Sequence, residues 1–179
     1  MLLEKISNII TKNECQLLSE YIEQATDLND ESNMVYYKNS RGRSDLPLTM
    51  QYIDRLTEVV RQYYDQPLKF SNTYSRIYTN GSYLKIHTDR IGLDITISLC
   101  IKREAKMLWP LCISHIQHEG NWRMDGDLEK YQKLYTAVEL DEGEGGLMEG
   151  ILYPHWRDDL VCDPNEKNIY IFYHWTKIT

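Results

Sequence analysis

Phenylalanine is almost missing from this sequence: 2 Phe stand against 14 Tyr and 4 Trp. Its large apolar side chains therefore carry polar handles, which suits a fold with a polar interior pocket. A positive charge balance is missing too. The 20 Lys and Arg against 27 Asp and Glu give a formal charge of -7, which disfavours the broad basic field that nonspecific nucleic-acid binding requires. Cysteine is sparse, and Cys15, Cys100, Cys112 and Cys162 form no CxxC pair, so neither a zinc knuckle nor a dithiol centre is encoded locally. Buried, reduced thiols are expected instead. Met1 to Lys12 is interrupted by Glu4 and Lys5 and lacks the apolar run of a signal peptide or membrane span. A cytoplasmic or other intracellular soluble compartment is the resulting expectation. Neither GxSxG nor GxGxxG occurs, so hydrolase and nicotinamide-oxidoreductase readings lack their local machinery.

What is present fits one domain over residues 1–179, with a mainly helical buttress over 1–66 and a β core over 67–179. From Thr11, apolar residues recur at three and four (Cys15, Leu18, Tyr21, Ile22, Ala25), and Thr11 and Glu14 occupy capping-box positions. This predicts a helix to about Ala25. Asp27 to Leu46 reads mostly as loop with a short strand at Met34 to Tyr37, and Arg41 and Arg43 read as a solvated flank. Pro47 suits a first helical position, and Met50, Ile53, Leu56, Val60 and Tyr63 form an apolar stripe, predicting a second helix over 47–64.

After Pro67 the pattern becomes β-rich. Strands are predicted over 71–78, 82–87, 94–101, 108–116, 134–140, 147–153 and 168–175, with hairpin-turn chemistry at Thr79, Asn80 and Gly81. Gln117 to Asp127 reads as an exposed loop. The fold class is therefore α+β, mainly β: a sandwich or jelly-roll barrel with helices packed on one face.

His87 and Asp89 end a predicted strand, and positions two apart in extended backbone point to one side. His155, after the apolar run Ile151 to Tyr153, supplies a third ligand from elsewhere in the chain. Two imidazoles and one carboxylate cover one face of an octahedral ion and leave positions open, which favours Fe(II) over a closed structural zinc site. His115 and His118 form a weaker alternative cluster, and His174 reads as a packed residue of the last strand.

These residues, with the stretches RIYTNGSYLKIHTD, ITISLCI, WPLCI, GGLMEGILYPHWRD and IYIFYHW, resemble the Fe(II)- and 2-oxoglutarate-dependent dioxygenases, particularly the prolyl-hydroxylase-like branch. The resemblance spans about Tyr74 to Trp175. It implies a double-stranded β-helix (jelly-roll, cupin-like) in which His87, Asp89 and His155 are catalytic metal ligands, with Fe(II), 2-oxoglutarate and dioxygen as cofactor and co-substrates. The implied reaction hydroxylates an unactivated C–H bond of a prolyl or other peptidyl residue and releases succinate and CO2. A free amino acid or small metabolite is an alternative substrate, and a non-catalytic metal-dependent scaffold is the alternative to an enzyme.

The family's basic anchor for the far carboxylate of 2-oxoglutarate finds its nearest match in Lys167, at a longer spacing than usual after His155. Arg157 competes for that role because a guanidinium holds a carboxylate bidentately, although substrate contact is its preferred reading. Tyr78 and Tyr83 match positions that help bind 2-oxoglutarate. Arg76 and Trp156 are assigned to substrate binding, while Trp109 and Pro110 match a packing landmark.

Overall fold

The computed structural model describes residues 2–25, 37–118 and 128–178. In chain order its elements are β1 (Leu3–Ile6), α1 (Lys12–Ala25), β2 (Tyr37–Ser44), α2 (Pro47–Met50), α3 (Ile53–Arg61), β3 (Leu68–His87), β4 (Ile95–Arg103), β5 (Leu111–Ser114), α4 (Glu129–Gln132), β6 (Tyr135–Val138), β7 (Gly145–Met148), β8 (His155–Arg157) and β9 (Asn168–Lys177). Helix α1 starts where the capping box places it: the Thr11 amide donates to Glu14 Oε2 at 2.7 Å, and the Glu14 amide donates to Thr11 Oγ1 at 3.3 Å. The second predicted helix divides into α2 and α3 around Gln51 and Tyr52. Strand β2 occupies most of the stretch expected to be loop, so the N-terminal third contributes two strands as well as helices. The strand expected over Met34 to Tyr37 lies largely outside the described residues, as does most of the expected loop over Gln117 to Asp127.

The predicted hairpin at Thr79 to Gly81 does not form. Strand β3 runs through it for 20 residues. Its first part pairs antiparallel with β9, from Leu68 opposite Lys177 to Tyr78 opposite Asn168; its end pairs with β8, Leu84 opposite Arg157 and His87 opposite His155. Each half has found a partner other than its neighbour in sequence, so the turn residues serve a corner instead. There Gly81 takes a φ of 75°, open to glycine without strain, and its amide donates to Leu160 O at 2.7 Å. The hydroxyls of Thr79 and Ser82 both donate to Asn39 O, at 2.7 and 2.6 Å, so β2 follows β3 round the bend.

The resulting strand order is β1-β7-β4-β9-β3-β8-β5-β6, with β2 on the other edge of β3. The corner in β3 folds this order into two layers. One contains β1, β7, β4, β9 and the start of β3; the other contains the end of β3, β8, β5 and β6. This is a double-stranded β-helix, as the resemblance implies. Helices α1 and α3 cover the outside of the first layer, where Cys15, Leu18, Ile22, Leu56 and Val60 meet Ile95, Ile97, Leu99, Ile171 and Trp175. Alternation along each strand then turns the intervening residues, such as Thr96, Ser98, Tyr170 and His174, toward the space between the layers.

Candidate metal centre

His87, Asp89 and His155 meet at one end of that interior space, with one ligand atom from each lying within 4.8 Å of the others. Asp89 Oδ1 is 4.0 Å from His87 Nε2 and 3.7 Å from His155 Nε2. The rings stand 4.3 Å apart by centroid and are tilted by 52°, so they converge without stacking. Ladder pairing fixes the two histidines directly opposite each other.

The surroundings prepare each ligand atom. His87 Nδ1 donates to Lys85 O at 2.8 Å and His155 Nδ1 donates to Tyr153 O at 3.0 Å. Both Nε2 lone pairs are thereby turned toward the site, the tautomer metal ligation requires. Burial, helped by the neighbouring His155 imidazole, pushes His87 down to about 4, so its ring is neutral at physiological pH. Burial alone would raise the Asp89 carboxyl, yet the imidazoles of His155, His174 and His87 and the Thr96 hydroxyl hold it below its ordinary range. The Thr96 hydroxyl donates to Asp89 Oδ2 at 2.6 Å and leaves Oδ1 to face the histidines.

Gly150 completes the support: its carbonyl accepts from the Asp89 amide at 2.8 Å, and a Cβ there would lie 1.9 Å from Asp89 Oδ2. Only glycine lets the carboxylate rest where it does. Neither Thr96 nor Gly150 stood out in the sequence, although Thr96 and Ser98 interrupt the apolar run ITISLCI at alternate positions and mark a polar strand face.

The structure sorts the remaining predicted residues. Tyr78 is fully buried in the interior, with its ring 4.8 Å from Trp109 and 6.1 Å from Tyr170. Arg157 is buried beside them, its guanidinium 4.2 Å from the Tyr170 ring centroid and 4.8 Å from that of Trp109. Arg76 lies opposite Tyr170 on β3, where its guanidinium donates to Ser40 Oγ at 2.8 Å and to the Tyr74 hydroxyl. The other three are not brought to the centre. Lys167 leaves the barrel on the helix side, with Nζ 2.6 Å from Glu23 Oε2 of α1. Trp156, between His155 and Arg157, points to the opposite face and packs with Ile86, Cys112 and Tyr131. Tyr83 is half-buried beside the β3 corner. His115 and His118 bond Thr136 and Tyr131 instead of joining the triad, and His174 is buried near Asp89.

No protein-family model and no curated protein matches the sequence. Solved structures do match the fold. HygX from Streptomyces hygroscopicus, with nickel and 2-oxoglutarate bound, superposes with a TM-score of 0.71 at 15% identity, covering 98% of this chain and 82% of that one. The viral collagen prolyl hydroxylase vCPH from Paramecium Bursaria Chlorella virus-1, as its 2-oxoglutarate complex, gives 0.66 at 13% identity, covering 99% and 97%. A Pseudomonas putida prolyl-4-hydroxylase gives 0.67 at 11% identity, covering 99% and 93%. With its layers, its corner strand and its helical cover, this chain has the fold of the Fe(II)- and 2-oxoglutarate-dependent oxygenases of the prolyl-hydroxylase type.

Proposed function

We propose that the protein is an Fe(II)- and 2-oxoglutarate-dependent dioxygenase that hydroxylates a C–H bond. The observation that carries this reading is the buried triad, with both Nδ1 atoms committed to backbone carbonyls and both Nε2 atoms converging on Asp89 Oδ1. Two neutral imidazoles and one ionised carboxylate suit Fe(II) in charge and donor type, and they approach from one side. With iron, 2-oxoglutarate and dioxygen bound, the chemistry supplied is oxidative decarboxylation to succinate and CO2 coupled to hydroxylation of the substrate.

The chain's own part is positioning. His87 and His155 hold the metal through Nε2 and Asp89 through Oδ1, while Thr96 keeps Oδ2 occupied. The packed interior around Tyr78 and Trp109 limits bulk water near the reacting atoms. Peptidyl and small-molecule substrates both occur among structures of this fold, since vCPH is a collagen prolyl hydroxylase and HygX is known with hygromycin B bound. Both classes therefore belong in a substrate screen.

Anaerobic titration with Fe(II) and 2-oxoglutarate tests the reading. A visible charge-transfer band is expected with wild type and is absent from Asp89→Ala. Metal-loaded wild type that gives no band and binds no 2-oxoglutarate overturns it. The substrate is then identified by succinate release together with a mass gain of one oxygen.

A further inference from the structure

Arg157 follows His155 by two residues on β8 and is 1% exposed. Its Nη1 donates to Trp109 O at 2.5 Å, but Nε and Nη2, both buried, have no hydrogen-bond partner among the described residues. The nearby carboxylate of Glu139 is already paired with Arg103, whose Nε lies 3.2 Å away. A guanidinium held in an apolar and aromatic interior with open donors is costly unless an anion completes it. Asn168 adds a second open donor: its Oδ1 accepts from the Ala105 amide at 3.2 Å, while its buried Nδ2 has no partner among the described residues. Asn168 starts β9 directly opposite Tyr78, whose ring meets the two aromatic rings against which Arg157 rests.

Resting on the function proposed above, the geometry points to Arg157 as the clamp for the far carboxylate of 2-oxoglutarate, with Asn168 Nδ2 as a second donor and Lys167 playing no part. The clamp therefore stands on the strand that carries the second histidine, not on the last strand. Residues two apart in a strand are separated by about 6.7 Å, and both side chains point the same way. Strand β8 thus acts as a ruler from metal to guanidinium. It favours a 2-oxo acid with two methylene groups before its far carboxylate over oxaloacetate, which has one, and 2-oxoadipate, which has three.

Binding, not turnover, tests this. Mn(II)-loaded protein is titrated calorimetrically with 2-oxoglutarate, oxaloacetate, 2-oxoadipate and 2-oxobutyrate, and metal-free protein is titrated with glutarate. Arg157→Met keeps an apolar stem between Trp109 and Tyr170, and Arg157→Lys keeps the charge. The Met variant is expected to bind Mn(II) as wild type does but 2-oxoglutarate about 30-fold or more weakly, with partial recovery in the Lys variant. Lys167→Gln is expected to bind like wild type. In wild type, 2-oxoglutarate should bind more tightly than its shorter and longer homologues, with 2-oxobutyrate weakest. Two results overturn the clamp: 2-oxoglutarate binding to the Met variant within twofold of wild type, or loss of binding in Lys167→Gln. Should Arg157→Met fail to fold, the wild-type series decides: 2-oxobutyrate binding as tightly as 2-oxoglutarate shows that no far carboxylate is held. Failure of the function reading looks different, because Mn(II)-loaded wild type would then ignore all four oxo acids. Glutarate binding to metal-free wild type and not to Arg157→Met would still support an anion site at Arg157.

Discussion

Strands β4 and β9 each present two faces to two environments, and the contrast separates what folds this protein from what it does. Their outer positions are Ile95, Ile97, Leu99 and Ile101 on β4 and Ile169, Ile171, Tyr173 and Trp175 on β9, all buried against α1 and α3 or their surroundings. Their inner positions include Thr96, Ser98 and Cys100 on β4 and Asn168, Tyr170, Phe172 and His174 on β9, equally buried but largely polar. Burial is the same on both faces and chemistry is not. Polar groups inside a barrel cost stability unless something binds them, so the inner face reads as a ligand face and the outer face as the core.

Breaking one face at a time should separate the two roles. Asp89→Ala removes the acidic metal ligand from the inner side and is expected to weaken Fe(II) or Mn(II) binding roughly 1,000-fold or more, a loss of about 4 kcal/mol. Its circular dichroism should stay native. Leu99→Ala, on the outer face and fully buried, is expected to cost about 2–5 kcal/mol in urea unfolding while the folded fraction keeps its metal affinity. If Asp89→Ala unfolds the protein, or Leu99→Ala spares stability and loses metal, the division between the faces is wrong.

Intermediate effects sharpen the inner face. In Gly150→Ala the new methyl group would occupy space 1.9 Å from Asp89 Oδ2, so the carboxylate must move and metal affinity should fall about 100-fold. Thr96→Val keeps the shape and removes the hydroxyl that holds Oδ2, with an expected loss of about 10-fold. Metal titrations of both variants check this order. Equal affinities for wild type and Gly150→Ala would show that Asp89 has room the structure does not suggest.

The division between faces was partly legible in the sequence. Periodicity located α1 and most of the strands, and residue spacing together with the resemblance picked out His87, Asp89 and His155, which the fold brings together. Two kinds of information were out of reach. The turn chemistry at Asn80 and Gly81 suits a hairpin and a corner equally, and only the long-range partners β8 and β9 decide between them. The fate of Lys167 likewise depends on Glu23, far away in sequence on a helix across the sheet, which draws the ammonium outward. Arg157 and Trp156 are neighbours, and strand alternation sends one inward and the other outward once β8 is recognised. That strand has only three residues, too few for a periodic pattern to show.

The smallest expected effect lies outside the barrel, where α3 is clipped to α1 by Arg55, whose Nη1 and Nη2 donate to Glu14 at 3.0 and 2.8 Å. The Arg55 hydrogen bonds and the Thr11 amide hold Glu14 down to about 2, below its ordinary 4.5. A carboxyl lowered in this way contributes stability that is present above about pH 4.5, where the unfolded chain is also ionised, and is lost as pH falls toward 2. The pair is partly exposed, so solvent screening limits its worth to about 0.5–1 kcal/mol. Glu14→Gln preserves a capping side chain and removes the charge. Its deficit against wild type should be full at pH 6 and should shrink steadily between pH 4.5 and 3 in urea unfolding. Because α1 and α3 lie on the outer face, metal affinity at pH 7 should not change. A deficit independent of pH would assign the contribution of Glu14 to helix capping, while a change in metal affinity would mean that the outer face is coupled to the inner one.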